Sequence, residues 1–307
     1  MRAVVCNLCG CDDWRLRYPA VGPRTGELEC DAFRCTCNDY GAHGRIVECR
    51  RCGYVYANPR PDAAELGALY AAVQDETYVQ ERAGRERTFE RHLRSLEAFT
   101  GPGAGRSLLD VGAYTGVFVA VAGRAGWQAW GLEPSRWAAE VAQEQGLAVL
   151  PGSLETADLN GRRFAAVTLW DVIEHLDDPA AGLNRAYQLL QPGGVLAVHT
   201  MDISSPTARL LGARWPWLMQ MHLHYFSGRT LAEMVRRHGF ELLGLRPQGR
   251  YLSLRYLVSR LRPYSAPAGR ALAGLVARAG LEDVAVPVNF GDLITAFASR
   301  PAGRDPG

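Results

Sequence analysis

The sequence predicts an α/β fold, a doubly wound sheet with a small cysteine-rich module in front of it. Three observations carry this. Leu108-Leu-Asp-Val-Gly-Ala-Tyr-Thr-Gly-Val-Phe118 is an apolar strand that runs into a glycine turn and then a helix. Apolar strands and helical stretches then alternate through most of the chain, the pattern of a sheet covered on both faces. All eight cysteines lie within the first 52 of 307 residues.

The cysteines come first in the chain. Cys6-x2-Cys9 and Cys49-x2-Cys52 form two knuckles, each followed by glycine (Gly10, Gly53). This spacing predicts a zinc-ribbon-like domain over 1–60, with Cys6, Cys9, Cys49 and Cys52 around one Zn²⁺. Four thiolates close the coordination shell, so the expected role is structural. Disulfides are the alternative, but they suit secreted chains, and the first 30 residues lack an apolar signal core. Cys11, Cys30, Cys35 and Cys37, with His43 nearby, leave a second metal site or ordinary loop thiols both open. Residues 61–105 read as a helical lead-in and linker: Phe89, Leu93, Leu96 and Phe99 recur at helical spacing, and Gly101-Pro-Gly-Ala-Gly105 breaks the pattern. The main domain is expected over 106–300. Its strands fall near 107–111, 128–132, 147–150, 165–170 and 194–199, with a sixth near 240–245 and a seventh near 293–298. Residues 251–289 read as an insert with two helical patterns.

Gly112 and Gly116 carry no Cβ, so the backbone can turn sharply there and approach a ligand. Glu133, 17 residues beyond Gly116, ends the next strand, where a carboxylate can accept both hydroxyls of a ribose. Two features argue against a dinucleotide. The spacing is Gly-x3-Gly rather than G-x-G-x-x-G, and Asp110 ends the first strand where a positively charged ligand group would suit it. An adenosine with a cationic amino-acid tail fits, and that ligand is S-adenosylmethionine.

Residues 108–199 resemble the class I S-adenosylmethionine-dependent methyltransferases segment by segment. The resemblance runs through Asp110, Gly112 and Gly116, then Glu133, then Gly152-Ser-Leu-Glu155. It continues in Phe164-Ala-Ala-Val-Thr-Leu-Trp-Asp-Val-Ile-Glu-His175 and Leu189-Leu-Gln-Pro-Gly-Gly-Val-Leu-Ala-Val-His199. It implies a seven-stranded Rossmann-like methyltransferase sheet with the seventh strand antiparallel between the fifth and sixth. The cofactor site it implies holds Asp110, Gly112, Tyr114, Gly116, Glu133, Ser153, Leu154, Trp170 and Asp171. Two positions depart from the family: Tyr114 replaces a small residue in the loop, and Ser153 stands where Asp is usual. The N-terminal ribbon and the Cys-x-x-Cys-Gly…Asn-Pro-Arg-Pro segment are similar to bacterial methyltransferases of varied small-molecule and polysaccharide pathways.

Ligands of such sheets bind beyond the carboxyl ends of the strands. His199 ends the fifth strand, and His222, His224 and Tyr225 follow. His222 and His224 are the leading candidates for a general base, with His199 behind them. Asp171, Glu174 and His175 share a face at i, i+3 and i+4. A Glu-x-x-Glu-His version of this segment is associated with a divalent cation in quinone-pathway O-methyltransferases, whereas a pocket-lining role is the favoured reading. Trp215, Trp217, Leu218, Met219 and Met221 read as a lid, a grip for an apolar or lipid-linked acceptor, or plain packing.

A formal net charge of +2 with no basic run argues against nucleic acid. All 34 basic residues are arginine, which excludes a lysine nucleophile. No stretch approaches the roughly 20 apolar residues of a membrane span, so the expected location is the cytoplasm. The expected reaction is methylation of a hydroxyl on a small molecule, glycan or lipid-linked acceptor. RNA methylation, sugar C-methylation and a non-catalytic cofactor-binding role stay open as rivals, and the oligomeric state is open.

Overall fold

The computed structural model describes residues 1–22, 33–36, 40–260 and 265–303. Cys30 and Cys37, two of the four extra cysteines, lie outside the described residues.

Three short strands open the chain: β1 (Trp14–Tyr18), β2 (Ile46–Cys49) and β3 (Val55–Ala57). Three helices follow, α1 (Ala63–Ala72), α2 (Glu76–Gln80) and α3 (Arg82–Thr100). The alternating core then runs β4 (Ser107–Val111), α4 (Val117–Arg124), β5 (Gln128–Glu133), α5 (Arg136–Glu144), β6 (Val149–Pro151), β7 (Phe164–Trp170), α6 (Pro179–Leu189) and β8 (Leu190–Met201). After it come α7 (Pro206–Leu211), β9 (His224–Tyr225), α8 (Gly228–Arg237) and β10 (Glu241–Pro247). The chain closes with β11 (Arg250–Ser253), α9 (Leu254–Ser259), α10 (Ala266–Arg278), β12 (Ala285–Val288) and β13 (Leu293–Ser299).

Seven strands form the main sheet in the order β10-β13-β8-β7-β4-β5-β6. β4 to β8 pair in parallel, while β13 runs antiparallel between β8 and β10. This is the expected arrangement, strand for strand. All seven residues of β7, Phe164-Ala-Ala-Val-Thr-Leu-Trp, are buried, as a central strand covered on both faces requires. Helix starts follow local chemistry: Ser135, Asp178, Ser205 and Ser227 each accept a backbone N–H in the first turn.

The cysteine module is stitched into this core. Its sheet has the order β1-β2-β3-β9, and β9 lies beyond the fifth core strand, Tyr56 pairing with His224 and Val55 with Tyr225. The sheet therefore crosses the boundary drawn at residue 60. Arg229 and Arg237 of α8 donate to the carbonyls of Cys52 and Leu8, at 2.6 and 2.8 Å, and tie both knuckles to the core. The insert also differs in detail from its helical reading. Its two ends pair as an antiparallel ribbon, β11 with β12, that packs on α3. Alternation over four residues at each end is too short to separate strand from helix by pattern.

Trp215 and Leu218 are fully buried, and Met219 and Met221 nearly so. Trp215 and Trp217 both donate to Asp292 Oδ2 at 3.0 Å. These side chains are packed inside the protein, while Leu210 and Leu211 of this connection, 86% and 39% exposed, face solvent. Among the described residues, no helix is long and apolar enough to cross a membrane.

Candidate active site and cysteine centre

The glycine loop sits at the carboxyl end of β4. Gly112 and Gly116 have φ of +69° and +73°, and Tyr114 between them has +49°. A Cβ on Gly112 would meet Val172 Cγ2 at 2.6 Å, so this glycine lets the first loop close against the one after β7. Glu133 organises the turn from β5: its two carboxylate oxygens accept from Tyr114 N and Ser135 N, both at 2.8 Å. Burial pushes Glu133 up to about 7, and those two N–H groups pull the other way. Asp110 is buried beneath the loop, pushed up to about 8 by burial and eased by a 2.7 Å bond from Thr168. Leu154 is buried, and Ser153 turns back on Thr156 at 3.1 Å.

The Tyr114 ring packs on Tyr78 of α2, with centroids 4.3 Å apart, and Arg85 lies over Tyr78 at 3.5 Å. The lead-in helices thus roof the loop. Residues 33–36, between the two knuckles, join them: Phe33 meets Tyr70 edge-on at 5.1 Å, and Thr36 donates to Asp75 at 2.6 Å.

Beyond β7 and β8 four histidines surround one ion pair. Asp171 (φ +56°) accepts from Arg250 Nη2 at 2.6 Å. Burial works against the Arg250 charge, but Asp171, Tyr256, Glu174 and Tyr40 together outweigh it and the guanidinium is held above its usual range. His199 Nε2 lies 3.7 Å from the same Asp171 oxygen. His92 packs against Trp170 and His199, with centroids 4.7 and 4.8 Å apart. On the other flank, His175 and His222 stand 4.9 Å apart. Burial lowers all four, His222 to about 3, so each is neutral at physiological pH.

The tautomers of two of them follow from their partners. Thr295 Oγ1 gives its proton to Gln248 Oε1, so it accepts from His199 Nδ1 at 2.8 Å, and His199 Nε2 carries the lone pair. His222 Nδ1 donates to the Trp217 carbonyl at 2.7 Å, which likewise leaves Nε2 as the basic atom.

The structure separates His222 from His224. His224 is fully buried under the cysteine module: Nδ1 meets Tyr54 OH at 2.9 Å, and Nε2 lies 3.0 Å from Leu176 O and 3.1 Å from Arg60. Of the two leading candidates for the base, His224 lies against Tyr54 and Arg60, while His222 stands beside His175. A two-residue offset on a strand sends side chains to the same face, but His222 precedes β9 and is turned by its bond to Trp217. Asp171, Glu174 and His175 do not converge as one set either. Asp171 turns to Arg250, while donor atoms of Glu174, His175 and His222 all lie within 4.8 Å of one another. Burial and then the Asp171 charge push Glu174 up to about 8.

The four knuckle cysteines come together from both ends of the module. Their Sγ atoms lie within 4.8 Å of one another, with Cys6–Cys52 at 3.5 Å and Cys9–Cys49 at 3.6 Å. Tetrahedral thiolates at a Zn–S distance of about 2.3 Å stand nearly 4 Å apart, so this donor set has the shape of a zinc site. Gly10 and Gly53, at φ +71° and +74°, close the two turns. Cys35 is exposed and Cys11 stands outside the quartet.

A family model described as "Methyltransferase domain" matches residues 81–245, more than half of the chain. The chain belongs to the methyltransferase family. The match takes in the glycine loop, Glu133 and the histidines after β7, and the methyltransferase sheet order holds throughout. A ubiquinone biosynthesis O-methyltransferase of Bradyrhizobium sp. (strain ORS 278) is 32% identical over 131 residues, covering 41% of this chain and 49% of that protein. One of the same name from Ralstonia nicotianae is 28% identical over 53% of this chain and 79% of its own length. The chain spans about half the length of the first of these relatives. The solved cyclase SpnF shares the fold, with a TM-score of 0.52 and 20% identity over 80% of this chain and 98% of its own.

Sequence reasoning did not single out His92, Arg250, Tyr70 or Tyr78. All four come from the lead-in helices or the β11–β12 ribbon, segments outside the minimal fold whose approach to the site leaves no local signature.

Proposed function

We propose that this methyltransferase takes its methyl group from S-adenosylmethionine and delivers it to a hydroxyl of a small molecule. The carrying observation is the buried side-chain cluster at the ends of β7 and β8. There two neutral imidazoles with Nε2 lone pairs, His199 and His222, flank the Asp171–Arg250 pair beside the glycine loop. The names of the relatives, O-methyltransferases of ubiquinone biosynthesis, support oxygen as the methylated atom.

Asp110, Gly112, Tyr114, Gly116, Glu133, Ser153, Leu154, Trp170 and Asp171 would bind the cofactor, Glu133 taking the ribose hydroxyls. The cofactor supplies an activated methyl group, and the protein aligns the acceptor oxygen and removes its proton. His222 is our leading base. It sits where the lead-in helices and the 215–223 segment enclose the pocket, and the Trp217 carbonyl holds its ring. His199 is the second base, oriented by the Thr295–Gln248–Ser95 chain. Cys6, Cys9, Cys49 and Cys52 would hold a structural zinc ion.

A second reading rests on Glu174, His175 and His222. Two imidazoles and a carboxylate suit zinc, manganese or iron better than magnesium, and such an ion would lower the acceptor hydroxyl's pKa. Methyl-labelled S-adenosylmethionine incubated with small-molecule and RNA extracts of the host tests the main reading. Label in the small-molecule fraction, alkali-stable as an ether, supports it; label in RNA alone overturns it. Loss of turnover on chelation, restored by manganese with the cysteine zinc still bound, would favour the second reading.

A further inference from the structure

We propose that Arg250 reads the acceptor, and that the acceptor carries a carboxylate or phosphate group. This rests on the acceptor pocket assigned above and adds the class of molecule that fills it.

Arg250 opens the β11–β12 ribbon, outside the seven-stranded sheet. Its guanidinium lies over the Trp217 ring, 5.1 Å from the centroid, and one nitrogen holds Asp171. Its Nε is buried and bonds to nothing. Trp170 Nε1 is also buried without a partner. His92, 2% exposed, has no hydrogen bond at either ring nitrogen and makes only a long approach to the Gly249 backbone. Buried donors without acceptors cost roughly 1–3 kcal/mol each, so native proteins leave few of them. Here they cluster at one place, around rings that touch.

Arg250 Nε and Trp170 Nε1 have no acceptor within reach. One Asp171 oxygen accepts from Arg250 and lies 3.7 Å from His199 Nε2. Glu174 spends one oxygen on Thr200, at 2.9 Å. A ligand that completes the site therefore brings oxygens that accept. Charge points the same way. The cofactor's sulfonium would add a second positive charge against the single Asp171 carboxylate, and one anionic group restores the balance. Arg suits that task because its fork meets carboxylate and phosphate oxygens in pairs.

The test uses the full chain saturated with S-adenosylhomocysteine and titrates benzoate, phenyl phosphate and the neutral benzamide by calorimetry. At least one anion is expected to bind about tenfold more tightly than benzamide, an increment typical of a charge-assisted bond. Which anion wins separates the carboxylate from the phosphate source. In Arg250→Met the preference disappears, and in Arg250→Lys part of it returns; the circular dichroism spectrum and a cooperative melt report that each variant is folded. Benzamide binding as well as either anion, no anion binding at millimolar concentration, or a preference that survives in Arg250→Met would each overturn the proposal. Failure of S-adenosylhomocysteine to bind the wild-type chain would instead overturn the cofactor reading, and the two failures are read in separate titrations.

Discussion

At Gly112 two constraints meet. The backbone is left-handed there, and a Cβ would collide with Val172. Gly112→Ala is therefore expected to cost roughly 1–3 kcal/mol and to abolish cofactor binding, as denaturant melts and S-adenosylmethionine calorimetry would show; unchanged affinity counts against the loop as the cofactor site. His222 and His224 invite a paired test. His222→Gln should lower turnover by about 10² to 10⁴, the range for a general base, with little change in stability. His224→Ala should cost about 2–4 kcal/mol, because it opens a cavity, leaves the Tyr54 hydroxyl unpartnered and takes one partner from Arg60, which keeps Asp177. The reverse pattern in melting and rate measurements would reassign the base. The buried carboxyls set a pH dependence. Asp110, Glu133 and Glu174 have folded values of about 8, 7 and 8, above their unfolded values. The folded state holds more protons between the two values, so stability of the unliganded protein falls as pH rises from about 4 to about 8 and then levels. Asp110→Asn should flatten part of that fall in melts across the same range.

At the scale of elements, the parallel core was legible because each strand carries its own pattern. The run at 164–170 is apolar throughout, as a doubly covered strand must be, and the glycine loop marks the turn out of β4. The short elements were not legible. β9 is two residues long, and β11 and β12 are four each, below the length at which periodicity separates strand from helix. Yet β9 fastens the cysteine module, and β11 delivers Arg250. The segment 206–221 shows the same limit. Its tryptophans read equally as lid or packing until Asp292, far along the chain, accepts from both.

For the whole molecule, the cysteine module is a wall of the enzyme as well as a neighbour of it. Its third strand pairs with β9, and residues 33–36 reach the helices that roof the glycine loop. Metal held by the four cysteines would therefore support the catalytic half. Removing it with a thiol-competent chelator should release one zinc equivalent, lower the melting temperature and weaken S-adenosylhomocysteine binding together. Metal loss with cofactor affinity unchanged would show that the two halves are energetically separate.

The sequence by itself determined the order of strands, the glycine loop with Glu133, and the two cysteine knuckles. Each of these is written in residues close together, where backbone freedom, strand alternation and ligand spacing act locally. Only the tertiary structure decided which histidines share a pocket. It sent His224 beneath the ribbon and His222 toward His175. It also brought His92 from a lead-in helix to Trp170 and His199, and Arg250 from the start of β11 to Asp171. Those placements come from packing between segments more than 40 residues apart, and packing of that range leaves no period or spacing in the chain to read.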